Sequence, residues 1–297
     1  MDKTANKIEM KNDAKRLAGN KYRIMWYTFK KRKVSVLGLV IVLIYVFIAI
    51  FANQLASYDP YKQDLANMLQ PPSNQHLLGT DELGRDILTR IIIGSRLSLQ
   101  VGFFTVGIAL FLGVPLGIIS GYYGGKVDLF IMRALDVLMA FPGVILAICL
   151  VAIMGPGLKN AMIAIGIYTM PNFARLARAE TLNVKSMEYI EASKAMGAGN
   201  VRIIVDHVLL NIISPLIVQS TLSFANAIIA TSGMGFLGLG AQPPTPEWGA
   251  MLSSGRKYLT LAAHVCTFPG LAIFFLVLGL NLLGDGIRDV FDPKMKI

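Results

Sequence analysis

The chain has 297 residues, of which 54% are hydrophobic and 15% charged, and its mean hydropathy is +0.57. That is too apolar for a soluble globular protein, in which about a quarter of residues are charged, and a disordered chain would need low hydrophobicity. An integral membrane protein remains, and the excess of 28 Lys and Arg over 18 Asp and Glu becomes a topology signal, with no aromatic-interleaved basic face to support nucleic-acid binding.

Eleven of the basic residues lie in 1–33, where they orient the first span and can bind anionic lipid. A 33-residue lead before a 25-residue uncharged run is too long for a cleavable signal peptide, so the first span is expected to stay as an anchor. Because a span must be nearly free of charge, the uncharged stretches 34–58, 97–125, 137–158, 160–174, 207–246 and 258–284 predict an all-α polytopic membrane protein with six transmembrane helices. The fourth stretch has only 15 residues and needs Lys159 or Arg175 at an interface. The fifth is read as one helix followed by a Gly- and Pro-rich, partly buried loop over 233–246. With the N-terminus inside, inner segments hold 21 basic residues and outer segments 7, so both termini are expected in the cytoplasm. The resulting divisions are 1–33, a basic segment; 34–96, the first span with an outer loop and amphipathic helix; 97–284, a five-helix core containing loop 180–211; and 285–297, a tail.

In the outer segment, Thr80 is expected to cap a helix whose first turn holds Asp81 and Glu82, with Asp81–Arg85 and Asp86–Arg90 pairs four residues apart. Leu83, Ile87, Ile91 and Arg96 then describe an amphipathic helix at the membrane surface, which either positions the second span or docks a partner. Arg133 and Asp136 read as a local ion pair, not a proton relay. Cys149 and Cys266 read as small buried hydrophobes.

Catalytic signatures are missing. The Gly125-Lys126 pair has Ser120 where a phosphate-binding loop needs Gly, and Val127 where it needs Ser or Thr. His76, His207 and His264 lie in separate regions, giving no metal-ligand spacing. No cofactor or metal is expected on this chain.

The informative inner loop runs Met187-Glu188-Tyr189-Ile190-Glu191-Ala192-Ser193-Lys194-Ala195-Met196-Gly197-Ala198-Gly199-Asn200. Its composition predicts a short helix, a left-handed turn at Gly197 and a second helix capped by Asn200, with Val201, Ile204, Val205 and Val208 as an apolar stripe. The small residues Ala192, Ser193 and Ala195 leave a knuckle able to enter a groove on another protein.

Glu191-Ala192-Ser193, three residues, then Gly197 resembles the EAA motif of permease subunits in binding-protein-dependent ABC importers. Three further segments are similar to the C-type permeases of the oligopeptide, dipeptide and nickel branch. They are Gly79-Thr80-Asp81-Glu82-Leu83-Gly84-Arg85-Asp86, the run from Gly238 through Gln242-Pro243-Pro244 to Trp248-Gly249, and Gly284-Asp285-Gly286-Ile287-Arg288-Asp289 followed by Asp292-Pro293. One departure is Leu209-Leu210-Asn211, where the family has Leu-Pro-Asn, so the second helix is expected to run more smoothly into the fifth span.

The resemblance implies the type I ABC importer permease fold, a heterodimer with a homologous B-type permease, two ATPase subunits that bind the ATP and Mg, an extracellular substrate-binding protein, and a bacterial cell membrane. It implies ATPase coupling at Glu191, Ala192, Ser193 and Gly197, and an outer gate at Gln242, Pro243, Pro244 and Trp248, although Trp248 also fits an interfacial anchor and Glu191 a solvated helix face. Peptide is the expected cargo, with nickel or a metallophore complex as the alternative. An ion-coupled carrier and a membrane-embedded enzyme are the readings outside the family.

Overall fold

The computed structural model describes residues 29–291. Most of the basic segment 1–33, and Asp292-Pro293 with the end of the tail, lie outside those residues. Helix α1, Lys33–Ile50, begins where the charges of the leader give way to the first apolar run, and a short Ala52–Leu55 turn follows. Helix α2, Ile87–Tyr123, fuses most of the expected surface helix with the second span. Its 37 residues reach about 56 Å at 1.5 Å per residue, well beyond a ~30 Å hydrocarbon core.

The expected third span, 137–158, takes in α4, Gly143–Met154, and only the last residues of α3, Gly125–Met139, which fills most of the segment expected as an inner loop and meets α4 at a bend of 87°. Pro142 supplies the reason, because its ring excludes Phe141 from helical geometry and it then serves as the N-cap of α4. Helix α5 is Leu158–Lys185, α6 is Glu188–Ala195, and α7 runs from Asn200 to Phe236. Helix α8, Trp248–Gly255, and α9, His264–Phe291, complete the described chain. Helix α9 runs past the expected boundary at 285, so Asp285 to Asp289 belong to the last span's helix rather than to a separate tail.

Four of these helices, α1, α2, α7 and α9, are long and apolar enough to cross a membrane, and the α3–α4 pair makes a fifth. The expected fourth span lies in α5, whose Lys159, Arg175, Arg178, Glu180 and Lys185 keep it from being apolar along its 28 residues. Packing directions fit its place in the bundle. Gly113, Gly117 and Gly121 of α2 lie against Met170 and Phe173, Ala174 and Ala177, then Arg178 and Thr181 of α5, so the two helices run parallel. A Cβ on any of the three would strike α5, a close approach of the kind that small residues permit between helices in lipid. Parallel α2 and α5 require one return crossing between them, which α3–α4 provides.

Helices α1 and α9 run antiparallel. Gly38 meets Leu282 and Leu283, Ile41 meets Gly279, Tyr45 donates to the Ala272 carbonyl at 2.9 Å, and Arg32 pairs with Asp289. The first and last described helices therefore start and finish at one end of the bundle. At the other end, Arg96 near the start of α2 donates to the carbonyls of Ala49 at 2.5 Å and Ile50 at 2.9 Å. Since α5 is parallel to α2, the 186–200 segment after α5 lies at the Arg32–Asp289 end.

The expected Arg133–Asp136 pair is present but loose, at 3.9 Å, and Asp136 has a closer partner that was not expected, Arg175 of α5 at 2.6 Å. Cys266 is buried as expected, whereas Cys149 is exposed on the surface of this chain.

Candidate functional site

Sequence motifs mark both ends of the bundle. At the Arg32–Asp289 end, α6 projects Glu191, Ala192 and Ala195 outward and ends at Met196, which is 82% exposed. Gly197 follows at φ +85° and donates to the Lys194 carbonyl at 2.9 Å, making the expected left-handed turn. Open space surrounds the position a Cβ would take there, so the glycine answers a backbone requirement rather than crowding.

The anchoring side of the knuckle is apolar. Ile190 is fully buried with Val184, Ile203, Val208 and Ile212, and Ser193, 9% exposed, donates to the Tyr189 carbonyl at 2.8 Å. Two expectations change here. Of the expected stripe, Val201 and Val205 are exposed and Val208 is buried, with Ile203 taking the inward place. Gly199, not Asn200, occupies the cap position; Asn200 is the first helical residue, and its side chain turns to Tyr122 instead. Helix α7 passes through Leu210 without a break, but Ile204–Leu209 just before it is a π-helical stretch.

At the opposite end, residues 79–86 form a buried turn where a capped surface helix was expected. Thr80 pairs across the turn with Asp86. Its hydroxyl donates to the Asn67 carbonyl at 2.6 Å and accepts from the Gln70 amide at 2.9 Å, so it braces the preceding loop and is unavailable as a helix cap. Asp81 accepts from the amides of Leu83 and Arg85 and from Arg85 Nε at 2.7 Å, which is the expected pair. Gly84 donates to the Asp81 carbonyl at 3.0 Å, and Ile87 to that of Gly79 at 3.1 Å. Asp86 caps α2 through the Thr89 amide at 2.7 Å and pairs with His76 at 3.0 Å, not with Arg90.

Arg90 faces the Pro-rich loop. It donates to the carbonyls of Pro60 at 2.8 Å and Pro244 at 3.3 Å, and its Nε lies 3.5 Å from Asp81. Gln242, Pro243 and Pro244 are exposed, with Gln242 folded back onto the carbonyls of Gly238 and Gly240, both at 3.0 Å. Trp248 is fully buried, donates to the Ile91 carbonyl at 3.1 Å and meets Tyr45 edge-on at 5.9 Å, so it is a core residue and not an interfacial anchor. Glu247 is 2% exposed and caps α8 through the amides of Gly249 and Ala250. Burial pushes its carboxyl above the usual range, against the opposing pull of those amides and Ser232.

The C-terminal motif is a notch with a charged rim. Gly284 and Gly286 are buried, against Thr221 and Leu222 of α7 and against Ser35 of α1, while Asp285 and Arg288 are exposed. Among the described residues, no three His, Cys, Asp or Glu side chains come together as a metal site. Sequence reasoning overlooked Tyr122 and Lys185 and gave Arg90 the wrong partner; all three are held by residues distant in sequence.

Residues 113–297 match the family described as the inner membrane component of binding-protein-dependent transport systems. Residues 21–72 match the N-terminal transmembrane domain of oligopeptide transport permease C. A dipeptide transport system permease protein DppC from Alkalihalophilus pseudofirmus is 50% identical over 93% of this chain and 90% of its own. A glutathione transport system permease protein GsiD from Pectobacterium atrosepticum is 46% identical over 93% and 92%. A di/tripeptide permease DppC from Pseudomonas aeruginosa is 47% identical over 91% of each. Among solved structures, an inward-facing MetNI methionine ABC transporter aligns at a TM-score of 0.58 and 19% identity, covering 69% of this chain and 98% of that one, a likeness of fold. The chain belongs to the inner membrane components of binding-protein-dependent transport systems, as a C-type ABC importer permease that is itself non-catalytic.

Proposed function

We propose that this permease passes short peptides inward across a bacterial cytoplasmic membrane as one half of a heterodimer with a B-type permease. Two ATPase subunits bind ATP and Mg on the cytoplasmic side, and an extracellular substrate-binding protein delivers the cargo. The observation that carries the reading is the exposed 188–200 knuckle, small-residued outside and apolar inside, at the end of the bundle where the first described helix starts and the last one finishes. Glu191, Ala192 and Gly197 form the contact through which ATPase closure reaches the spans, with Ser193, expected in that contact, anchoring it from the inner side, and both described ends of the chain face the cytoplasm. The loop Gln242, Pro243, Pro244 and Trp248, with the 79–86 turn, belongs to the outer gate and receptor side.

The cargo follows from the similar permeases, which bear the names of dipeptide, di/tripeptide and glutathione systems. They favour a peptide over nickel or a metallophore complex. The test is reconstitution of the permease pair with ATPases and receptor in proteoliposomes, followed by uptake of labelled dipeptide, glutathione and nickel. ATP-dependent dipeptide uptake is expected; nickel uptake alone, or uptake driven by an ion gradient without ATP, would overturn the reading.

A further inference from the structure

Tyr122, next to the end of α2, touches every part of the knuckle's base. The residue is 5% exposed. Its hydroxyl donates to Asn200 Oδ1 at 2.9 Å, at the first residue of α7. Its carbonyl accepts from Lys185 Nζ at 2.7 Å, at the last residue of α5. The ammonium groups of Lys185 and of Lys194 on α6 lie 5.8 and 5.9 Å from its ring centroid, within cation–π reach.

The covalent routes out of the knuckle lead elsewhere. Toward α5 the chain passes through Ser186 and Met187, and the route into the span of α7 passes through that helix's own π-helical stretch Ile204–Leu209, where the helical ladder is widened. Helix α2 has no backbone connection to the knuckle and meets it through the shared apolar cluster and through Tyr122. Apolar packing is non-directional, whereas a hydrogen bond fixes distance and angle. At its far end the same helix holds the Pro-rich loop through Arg90 and the Ile91 carbonyl.

We infer that Tyr122 is a positioning residue that ties the knuckle to α2, so that displacement of α6 is delivered through Asn200 and Tyr122 to the helix that carries the Gln242–Trp248 loop at its other end. The inference rests on the proposal that α6 seats on an ATPase subunit. Tyr122→Phe removes the donor while keeping the ring over which both lysines sit. Asn200→Leu removes the acceptor, and Asn200→Asp keeps it.

The experiment measures dipeptide uptake per ATP hydrolysed, and retention of ATPase subunits, in the purified four-subunit complex with its receptor in proteoliposomes. Tyr122→Phe and Asn200→Leu are each expected to lower uptake per ATP about fivefold, the scale of one neutral hydrogen bond. Their combination should cost no more than either alone, Asn200→Asp should stay near the parent ratio, and all variants should keep their ATPase subunits. A parent ratio in Tyr122→Phe, or loss of ATPase subunits from it, would overturn the inference. Glu191→Lys and Gly197→Val serve as the separate check on seating. If they abolish uptake while Tyr122→Phe is normal, only the role of Tyr122 falls; if they leave uptake intact, the seating reading and this inference fall together.

Discussion

Arg90, in the first turn of α2, donates to the carbonyl of Pro244, which lies 154 residues further along the chain, at 3.3 Å. The same Nη1 serves the carbonyl of Pro60, and Nε faces Asp81, so one buried guanidinium fastens the outer loop and the Pro-rich loop to a single helix start. Asp81 keeps Arg85 as a second partner. Replacing Arg90 therefore strands two carbonyls without leaving a wholly unpaired carboxylate.

Arg90→Ala is expected to destabilise this end by about 1.5–3 kcal/mol, the range for hydrogen bonds made by a charged group. Arg90→Lys should recover part of that, since an ammonium keeps the charge near Asp81 but does not take the place of the Nη1 that serves both carbonyls. Thermal unfolding of the solubilised protein measures the loss. Accessibility of Trp248 to an aqueous quencher in a Trp26→Phe background measures loosening of the loop. Unchanged stability with a sealed Trp248 in Arg90→Ala would show that the fastening contributes nothing.

Gly197 sits at φ +85° with free space beyond it. Gly197→Val is expected to cost about 1–2 kcal/mol locally, the penalty of a left-handed conformation for an L-residue, and to tilt the start of α7 away from α6. Gly197→Asn should be milder, because Asn tolerates the left-handed region. Dipeptide uptake should therefore fall in the order glycine, asparagine, valine while membrane insertion persists. Equal loss in both variants would mean that the side chain itself blocks the partner.

The apolar spans were legible because charge is scarce inside a membrane, and the Gly197 turn because only a few residues accept a positive φ. Other features were hidden by competing signals. Phe141-Pro142 carried the information for the 87° bend, but the uncharged stretch 137–158 ran through it. Thr80, Asp81 and Glu82 have the composition of a helix start, yet their side chains are taken up by Asn67, Gln70 and Arg85. Tyr122 is a small signal at the end of an apolar run, and its partners at 185, 194 and 200 appear only once α2 and α5 lie parallel.

The α2–α5 seam makes a sharp prediction about volume. Gly117 faces the Ala174 carbonyl and Ala177, whereas Gly107 on the same helix faces open space. Gly117→Val should lower stability by about 1–3 kcal/mol, the usual cost of overpacking, and reduce the yield of folded protein. Gly107→Ala should be neutral or slightly stabilising, since Ala favours a helix over Gly. Size-exclusion recovery after graded heating compares the two, and equal behaviour would contradict the seam.

The proposed orientation rests on the 21 to 7 division of basic residues and on the shared end of α1 and α9. In a background lacking Cys149 and Cys266, single cysteines at positions 62 and 159 should react with a membrane-impermeant reagent in intact cells, and one at 194 should react only after permeabilisation. Labelling of 194 in intact cells would invert the arrangement.

Asp128 at the start of α3 takes both oxygens to Arg178 of α5, at 2.5 and 2.6 Å, and also accepts from Ser120 of α2. This bidentate pair holds the first half of the bent span against the α2–α5 seam. Both side chains are partly exposed, at 22% and 33%, so solvent screening limits what the pair is worth. A double-mutant cycle with Asp128→Asn and Arg178→Gln should return a coupling energy of about 1 kcal/mol. Reversing the pair with Asp128→Arg and Arg178→Asp should restore only part of it. Asp128 lies in the first turn of α3, where the helix dipole favours an acid, and an Arg placed there loses about 0.3–1 kcal/mol. Full recovery in the reversed pair would show that the dipole is irrelevant at this site. Zero coupling would show that Leu135 and its apolar neighbours hold α3 unaided.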